Sequence, residues 1–267
     1  MTGVPSARDL RALVRQRVGG FFANAVQSRR RTCTVCAGPI VRGEELCGQC
    51  RLQREQFGDR LADRVFILTY AQGYHRQGIH QSAYTLRSYK DPVPVREAQQ
   101  NLQLLAAVAS IIHGPCMQAH SERPWRAVTF VPSIRHPDRT HPVADIARQV
   151  RQVPESDRVL LALGTGAADS TRAIRDDRFI IPTKFRDRVL GRHVLVVDDT
   201  WTTGSKMQSA AIALKTAGAA EVTGLCVARW CRWDWPDHAA LLQTLDTPYD
   251  ALFCPAQDAI CDRALAI

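Results

Sequence analysis

Residues 193–206, HVLVVDDTWTTGSK, join an apolar run, two acidic residues and a run of hydroxyl residues. The apolar run predicts a buried strand that ends at Asp198 and Asp199, and Gly204 leads into an amphipathic helix. Hydroxyls and backbone N–H groups at the N-terminus of a helix suit a phosphate. Two carboxylates repel phosphate, but they suit the hydroxyls of a ribose or a nearby Mg²⁺. The stretch therefore predicts a site for a phosphorylated sugar, and the alternative is a strand–turn–helix unit whose Asp and Thr only cap the helix.

The same stretch resembles the signature of the type I phosphoribosyltransferases for 5-phosphoribosyl-1-pyrophosphate (PRPP), which is a hydrophobic strand, two acidic residues and a T-T-G turn. The resemblance implies that Asp198 and Asp199 hold the ribose hydroxyls and that Mg²⁺ bridges pyrophosphate and ribose. Trp201 stands where that family usually has an aliphatic residue, so it either closes the floor of the pocket or crowds the site. The residues that the resemblance places around the 5-phosphate are Thr200, Trp201, Thr202, Thr203, Gly204 and Ser205.

Four cysteines form two C-x2-C pairs that are separated by ten residues. Four thiolates are the tetrahedral set that Zn²⁺ prefers, and a closed set of four protein ligands is structural rather than catalytic. The alternatives are four reduced structural cysteines or two disulfides. The other five cysteines are scattered, and most have apolar neighbours. The predicted zinc ligands are Cys33, Cys36, Cys47 and Cys50.

A four-cysteine ribbon ahead of a phosphoribosyltransferase-like segment resembles the ComF-type competence proteins. Tyr89 and Lys90 resemble that family's segment between ribbon and core. Val131-Pro132 resembles a turn that lies at the pyrophosphate loop of the family, which makes Arg135 a further PRPP-binding candidate. The chain departs from the family after this turn and again at residues 171–173. The resemblance also implies a role in competence and DNA uptake, with single-stranded DNA as a partner.

Short apolar runs alternate with helical patterns from residue 65 onward. Strands that are apolar throughout and separated by helices predict an α/β fold with a doubly wound, mostly parallel sheet, behind a small N-terminal zinc ribbon. We expect a basic amphipathic arm over residues 1–31, a zinc ribbon over 32–52 and a phosphoribosyltransferase-like domain over 60–267. Residues 164–187 are polar and predict a long loop that closes over a ligand. The predicted strands are 65–70, 126–131, 158–163, 193–198, 221–228 and 249–253.

The chain has 267 residues and a net charge of +9. Seven arginines and one aspartate give residues 1–31 a charge of +6, so the basic character belongs to the N-terminus. Apolar residues recur at helical spacing from Ser6 to about Gln27. This helix either packs its leucines on the body or grips nucleic-acid phosphates. The odd cysteine count and the absence of a recognisable secretory signal or membrane-length apolar run predict a cytoplasmic protein.

Two functions follow as hypotheses. The first is a phosphoribosyltransferase-like protein that binds Mg–PRPP and transfers the phosphoribosyl group to an acceptor that the sequence does not identify. The second is a non-catalytic, ComF-like factor that handles single-stranded DNA, in which PRPP is a regulator or a relic. No residue in the sequence stands out as a general base, and the sequence does not determine the oligomeric state.

Overall fold

The computed structural model describes residues 6–133, 141–169 and 171–261. Within these ranges, no helix combines the length and the apolar character needed to cross a bilayer. The helices are α1 (Ala7–Arg17), α2 (Gly48–Phe57), α3 (Gln81–Ser88), α4 (Arg96–Gln118), α5 (Pro142–Ala147), α6 (Ser205–Thr216) and α7 (Pro236–Leu242). The strands are β1 (Ala23–Asn24), β2 (Arg64–Gly73), β3 (Ala127–Phe130), β4 (Ala162–Leu163), β5 (Phe179–Ile180), β6 (His193–Trp201), β7 (Glu221–Arg232), β8 (Phe253–Cys254) and β9 (Ala259–Ile260).

The central sheet has five strands in the order β1-β2-β7-β6-β3. Strands β2, β7, β6 and β3 run parallel, and β1 pairs antiparallel with β2 at one edge. Helix α6 connects β6 to its parallel neighbour β7, which is the crossover that a parallel pair requires. The predicted α/β fold class with a mostly parallel sheet is confirmed.

Both faces of the sheet are covered, which explains why its strands are apolar throughout. Leu195 and Val197 of β6 pack into the core around α4, whereas Val194 and Val196 pack into the core around α6. This alternation follows from the two-residue period of a strand. The cysteine-rich segment lies in the core around α6, and α1 lies in the core around α4.

The N-terminal helix begins as predicted but is shorter. Ser6 caps α1 through a capping box with Asp9, and the helix ends at Arg17, well before the predicted end near Gln27. The glycine pair that follows lowers helix propensity, and the chain then enters β1. Leu10 and Val14 of α1 belong to the core around α4, so this helix packs on the body. The residue boundaries proposed for an N-terminal arm, a ribbon and a large domain stay predictions.

Two predicted strands, 158–163 and 249–253, form strands only at their C-terminal ends, and neither becomes a strand of the central sheet. In 158–163, Arg158 forms only an isolated bridge with Val128, and β4 pairs antiparallel with β5 outside the central sheet. In 249–253, the chain is held instead by irregular bonds, such as the Tyr249 amide that donates to the Phe22 carbonyl at 2.9 Å. Both segments are apolar because they pack on the core. A segment that packs on the core without pairing to a strand has the same short apolar run as a buried strand, so the sequence does not distinguish the two.

Candidate functional site

The two acidic residues of the sequence motif lie at the carboxyl end of β6, between β7 and β3. Asp198 is 9% exposed and Asp199 is 7% exposed. The amide of Asp199 donates to Oδ1 of Asp198 at 2.9 Å. Strand β6 runs on to Trp201, beyond the predicted end, because Trp201 still pairs with Arg229 of β7. Open parallel sheets bind their ligands in the crevice at this end.

Lys90, which follows α3, neutralises one of the two carboxylates. Its Nζ lies 2.7 Å from Oδ2 of Asp199, and the hydroxyl of Thr200 donates to the same oxygen at 2.7 Å. Burial on its own raises the pKa of Asp199, but the Lys90 ammonium and the Thr200 hydroxyl outweigh it and lower that pKa to about 2. Asp199 is therefore a carboxylate at neutral pH. Only the family resemblance drew attention to Lys90, because 109 residues separate it from Asp199.

Asp198 has the opposite electrostatic environment. Burial, and then the adjacent Asp199 carboxylate, raise the pKa of Asp198 well above its ordinary value. Two neighbouring buried carboxyls resist simultaneous ionisation, so a cation or a set of hydroxyl donors is needed to stabilise both charges. The pair is thus built to receive hydroxyls or a cation, and it disfavours a bare anion.

The 200–205 loop carries the chain from β6 to the N-terminus of α6. Gly204 has φ +77°, in the left-handed region, and α6 begins at the next residue. The hydroxyls of Thr203 and Ser205 lie 3.2 Å apart at this terminus. The first N–H groups of a helix have no partner within the helix, and the helix dipole favours an anion there. The loop therefore places hydroxyls and helix N–H groups directly beside the acidic pair.

Trp201 takes a supporting position beneath the loop. Its side chain is 2% exposed and packs in the core around α6. A Cβ added at Gly204 would lie 2.1 Å from Cζ2 of the Trp201 ring. The ring therefore leaves room only for glycine at position 204, and whether it closes the floor of a pocket or crowds the site stays a prediction.

Three hydrogen bonds from two residues that are distant in sequence hold the backbone of the loop. Arg229 of β7 donates through Nη1 to the carbonyl of Trp201 at 3.1 Å and also to the carbonyl of Thr202. Gln53 of α2 donates through Nε2 to the carbonyl of Thr203 at 2.9 Å. Both residues lack a sequence signal for this role, because 27 to 150 residues separate each from its partner.

The four predicted zinc ligands come together in one site, which we term the ribbon cluster. Their sulfur atoms all lie within 4.8 Å of one another, and Cys36 Sγ is 3.7 Å from Cys47 Sγ. A tetrahedral site with Zn–S bonds of about 2.3 Å separates its sulfurs by about 3.8 Å, so these residues fit Zn²⁺. All nine cysteines of the chain are free, so the arrangement with two disulfides is not observed. The ribbon cluster is Cys33, Cys36, Cys47 and Cys50.

Arg229 connects the ribbon cluster to the loop. A Cβ added at Gly38 would lie 3.0 Å from Nη2 of Arg229 and 3.2 Å from Sγ of Cys36, so guanidinium, glycine and thiol are packed together. Burial on its own lowers the pKa of Arg229, but nearby thiols, Cys36 first among them, outweigh it and raise that pKa above its ordinary value. Four thiolates and Zn²⁺ sum to −2, and the Arg229 guanidinium offsets part of this charge.

The polar segment 164–187, for which the sequence predicted a long loop, is described except for residue 170 and is largely irregular. The segment contains β5, which pairs with β4, and the start of a 3₁₀ turn at Thr183–Arg188. The amide of Arg175 donates to the hydroxyl of Ser209 on α6 at 2.9 Å. The hydroxyl of Thr203 donates to the carbonyl of Arg172 at 3.4 Å. Residues 172 and 175 therefore lie beside the 200–205 loop and α6, whereas Thr171, Arg172 and Ala173 are exposed. Closure of this segment over a ligand stays a prediction.

Arg135, the last predicted site residue, lies outside the described residues. The structure describes the start of the turn that precedes Arg135, where the amide of Val131 donates to the carbonyl of Val197 at 3.0 Å. The chain therefore leaves β3 next to β6, the strand that carries the acidic pair.

A separate cavity of 790 Å³ lies between α1, α7 and the C-terminal segment, and its lining residues include none of this site.

No family model matches the sequence, and no curated protein matches it. Solved structures match about half of the chain. A structure titled as the allosteric regulatory enzyme of purine biosynthesis matches 46% of this chain and 26% of its own, with 20% identity and a TM-score of 0.28. A hypoxanthine phosphoribosyltransferase from Trypanosoma cruzi matches 49% and 68%, with 16% identity and a TM-score of 0.34. The corresponding enzyme from Staphylococcus aureus matches 49% and 64%, with 11% identity and a TM-score of 0.29.

Proposed function

We propose that this protein binds PRPP, or a closely related phosphoribosyl ligand, together with Mg²⁺ at the carboxyl end of β6. The observation that carries the proposal is the buried pair Asp198 and Asp199, which the 200–205 loop connects directly to the N-terminus of α6. Ribose hydroxyls donate to the carboxylates, and the 5-phosphate accepts from the hydroxyls and N–H groups of the loop. One short segment therefore meets both ends of a ribose 5-phosphate.

Each residue has a defined part in this binding. Lys90 keeps Asp199 ionised, so that Asp199 accepts from a ribose hydroxyl. Asp198 gains its second stabilising contact from the ligand's hydroxyls or from Mg²⁺. Carboxylate oxygens and phosphate oxygens are the donors that Mg²⁺ prefers, so the acidic pair and a pyrophosphate suit this ion. When bound, Mg²⁺ would neutralise charge on the pyrophosphate.

Group transfer, as the finer hypothesis, uses the same geometry. The bond from the anomeric carbon to the pyrophosphate oxygen breaks, pyrophosphate leaves with the electron pair, and an acceptor nucleophile forms the new bond. The protein contributes by orienting ribose and acceptor and by stabilising charge on the leaving group. In the family that the sequence resembles, the segment that corresponds to residues 171–173 covers pyrophosphate and the second substrate, and here the Arg172 carbonyl accepts from the Thr203 hydroxyl of the loop at 3.4 Å.

Calorimetric titration of PRPP, with and without Mg²⁺, tests the binding proposal. We expect Mg²⁺-dependent binding to the wild type and at least a 100-fold weaker affinity, about 2.7 kcal/mol, in the Asp198→Asn/Asp199→Asn variant. Asp246→Asn removes an exposed carboxylate far along the chain and serves as the matched control. Absence of binding to a folded, zinc-loaded wild type would refute the proposal. Equal affinity of the wild type and the double variant would refute the assigned residues.

A second function, binding of single-stranded DNA by a ComF-like factor, is favoured by one surface feature. Arg29, Arg30 and Arg31 are consecutive and exposed between β1 and the ribbon, and Nε of Arg29 lies 3.5 Å from Oε1 of Glu45. Exchange of all three for Gln, with fluorescence anisotropy of a labelled oligonucleotide at several salt concentrations, tests this function. Deletion of residues 1–31 is unsuitable, because Val14 and Phe22 belong to the core. DNA affinity that is unchanged in the triple variant would exclude this surface.

A further inference from the structure

A second group of metal-ligating side chains lies on the opposite face of the sheet from the ribbon cluster. Its four residues are buried, and each offers one ligand atom within 4.8 Å of the other three. Three of them belong to the core around α4, whereas the ribbon cysteines belong to the core around α6. We term this group the hairpin cluster, and it consists of His113, Cys116, Cys254 and Cys261.

The backbone directs all four side chains to one point. His113 and Cys116 are three residues apart on α4, so they share a face of the helix. Cys254 pairs with Ala259 across the β8–β9 hairpin, and Cys261 lies two residues beyond Ala259. Residues at such diagonal positions project from the same side of a hairpin. The helix thus supplies one pair of ligands and the hairpin supplies the other.

The hydrogen bonds of His113 match those of a metal ligand. Nε2 donates to the carbonyl of Ala251 at 2.8 Å, and Nδ1 is buried with no hydrogen-bond partner. A buried polar atom without a partner costs free energy unless something satisfies it. Metal-ligating histidines usually donate their other ring N–H to a carbonyl or carboxylate, which fixes the ring for coordination. Nδ1 of His113 is therefore the atom left for a metal.

The spacing of the sulfur atoms suits one tetrahedral ion. Cys116 Sγ lies 3.4 Å from Cys261 Sγ, well beyond the roughly 2.05 Å of a disulfide bond. A zinc site separates its sulfurs by about 3.8 Å, so small side-chain movements complete the coordination. We propose that the hairpin cluster binds a second Zn²⁺ as a closed Cys3His site with a structural role.

The second zinc site would fasten the C-terminal segment to the body. Strands β8 and β9 have two residues each, and a hairpin of that size is not stable by itself. The segment before the hairpin is tied to the N-terminal region, since the amide of Asp250 donates to Oδ1 of Asn24 at 2.8 Å. Zinc bound by α4 and the hairpin would therefore hold both terminal regions against one long helix.

Zinc content of the full chain, purified under reducing conditions and dialysed against metal-free buffer, tests the proposal. We expect about two zinc ions per wild-type chain, about one in Cys33→Ser/Cys36→Ser and about one in Cys254→Ser/Cys261→Ser. Cys226→Ser removes a buried cysteine outside both clusters and controls for loss of a core thiol. It is expected to keep both ions. One ion in the wild type, lost entirely in Cys33→Ser/Cys36→Ser, would overturn the proposal.

A measurement on the unmutated chain keeps the test valid if a variant does not fold. Exchange of zinc for ¹¹³Cd is expected to give two NMR resonances, one from four sulfurs and one from three sulfurs and a nitrogen. A single resonance of the four-sulfur type would overturn the proposal. So would a Cys116–Cys261 disulfide, detected by mass spectrometry after alkylation of the denatured chain.

Discussion

The ribbon cluster and the hairpin cluster have similar ligands but differ in what they touch. The ribbon cluster comes from residues 33–50, and through Arg229 and Gln53 its surroundings hold the backbone of the 200–205 loop. The hairpin cluster joins residues as far apart in sequence as His113 and Cys261, and the contacts described above run to α4 and the terminal regions. With zinc bound as we propose, the same coordination chemistry would support the 200–205 loop on one face of the sheet and fasten the C-terminal hairpin on the other.

The largest effect that distinguishes the two clusters is expected from their double cysteine variants. Structural zinc contributes on the order of 10 kcal/mol in small zinc-binding modules, so Cys33→Ser/Cys36→Ser is expected to lower Tm by at least about 10 °C and to abolish PRPP binding. Cys254→Ser/Cys261→Ser is expected to lower Tm while the Kd for PRPP stays within about twofold. Thermal unfolding and calorimetry measure both quantities. Equal loss of PRPP binding in the two variants would end the distinction.

Arg229→Met tests the link between ribbon and loop. Removal of one partner from a buried charge pair costs about 3–5 kcal/mol, because the thiolate charge is left without compensation. We expect that loss in the free energy of unfolding from urea titration, together with at least tenfold weaker PRPP binding. Arg232→Met on the same strand removes a partly exposed pair with Asp234 and is expected to cost less than about 1 kcal/mol. PRPP affinity that is unchanged in Arg229→Met would show that the ribbon does not position the loop.

Gly204→Ala tests the packing of the loop on Trp201. The added Cβ meets the indole ring and also adopts φ +77°, so we expect a loss of about 2–4 kcal/mol in stability and weaker PRPP binding. Gly43→Ala has φ +94° but meets nothing within 4 Å, so it reports the backbone cost alone, about 1 kcal/mol. Trp201→Leu combined with Gly204→Ala is expected to recover part of the loss. Equal costs at Gly43 and Gly204 would contradict the steric account.

Lys90→Met has the smallest expected effect on stability. It leaves the buried Asp199 carboxylate without its cation, and because Lys90 is itself partly exposed we expect a cost of about 1–2 kcal/mol at pH 7. The lowered pKa of Asp199 makes this stabilisation present above pH ~4 and lost as the pH falls towards 2. Urea titrations across this range should show the free energies of unfolding of the wild type and Lys90→Met converging as the pH falls. Lys184→Met, at an exposed position of the 3₁₀ turn Thr183–Arg188, controls for loss of a lysine, and a constant difference at all pH values would contradict the assignment.

Local sequence patterns predicted much of the fold and part of the candidate site. The apolar run before Asp198 predicted β6, because a strand buried on both faces needs apolar side chains at every position. The spacing of Cys33, Cys36, Cys47 and Cys50 predicted a four-thiol site, because two short knuckles can bring their own cysteines together. The 158–163 prediction held only for Ala162 and Leu163, since an apolar run indicates that a segment packs on the core and not that a neighbouring strand is free to pair with it.

The sequence by itself determined the acidic pair, the loop that follows it and the ribbon cluster, because each is built from residues only a few positions apart. Lys90, Gln53 and Arg229 reach the site only through the packing of helices and strands that are far apart in sequence. The same holds for the hairpin cluster, in which a helix in mid-chain meets a C-terminal hairpin. The physical reason is separation along the sequence. Backbone geometry fixes which residues meet when they are only a few positions apart, whereas contacts between distant residues depend on the packing of the whole chain.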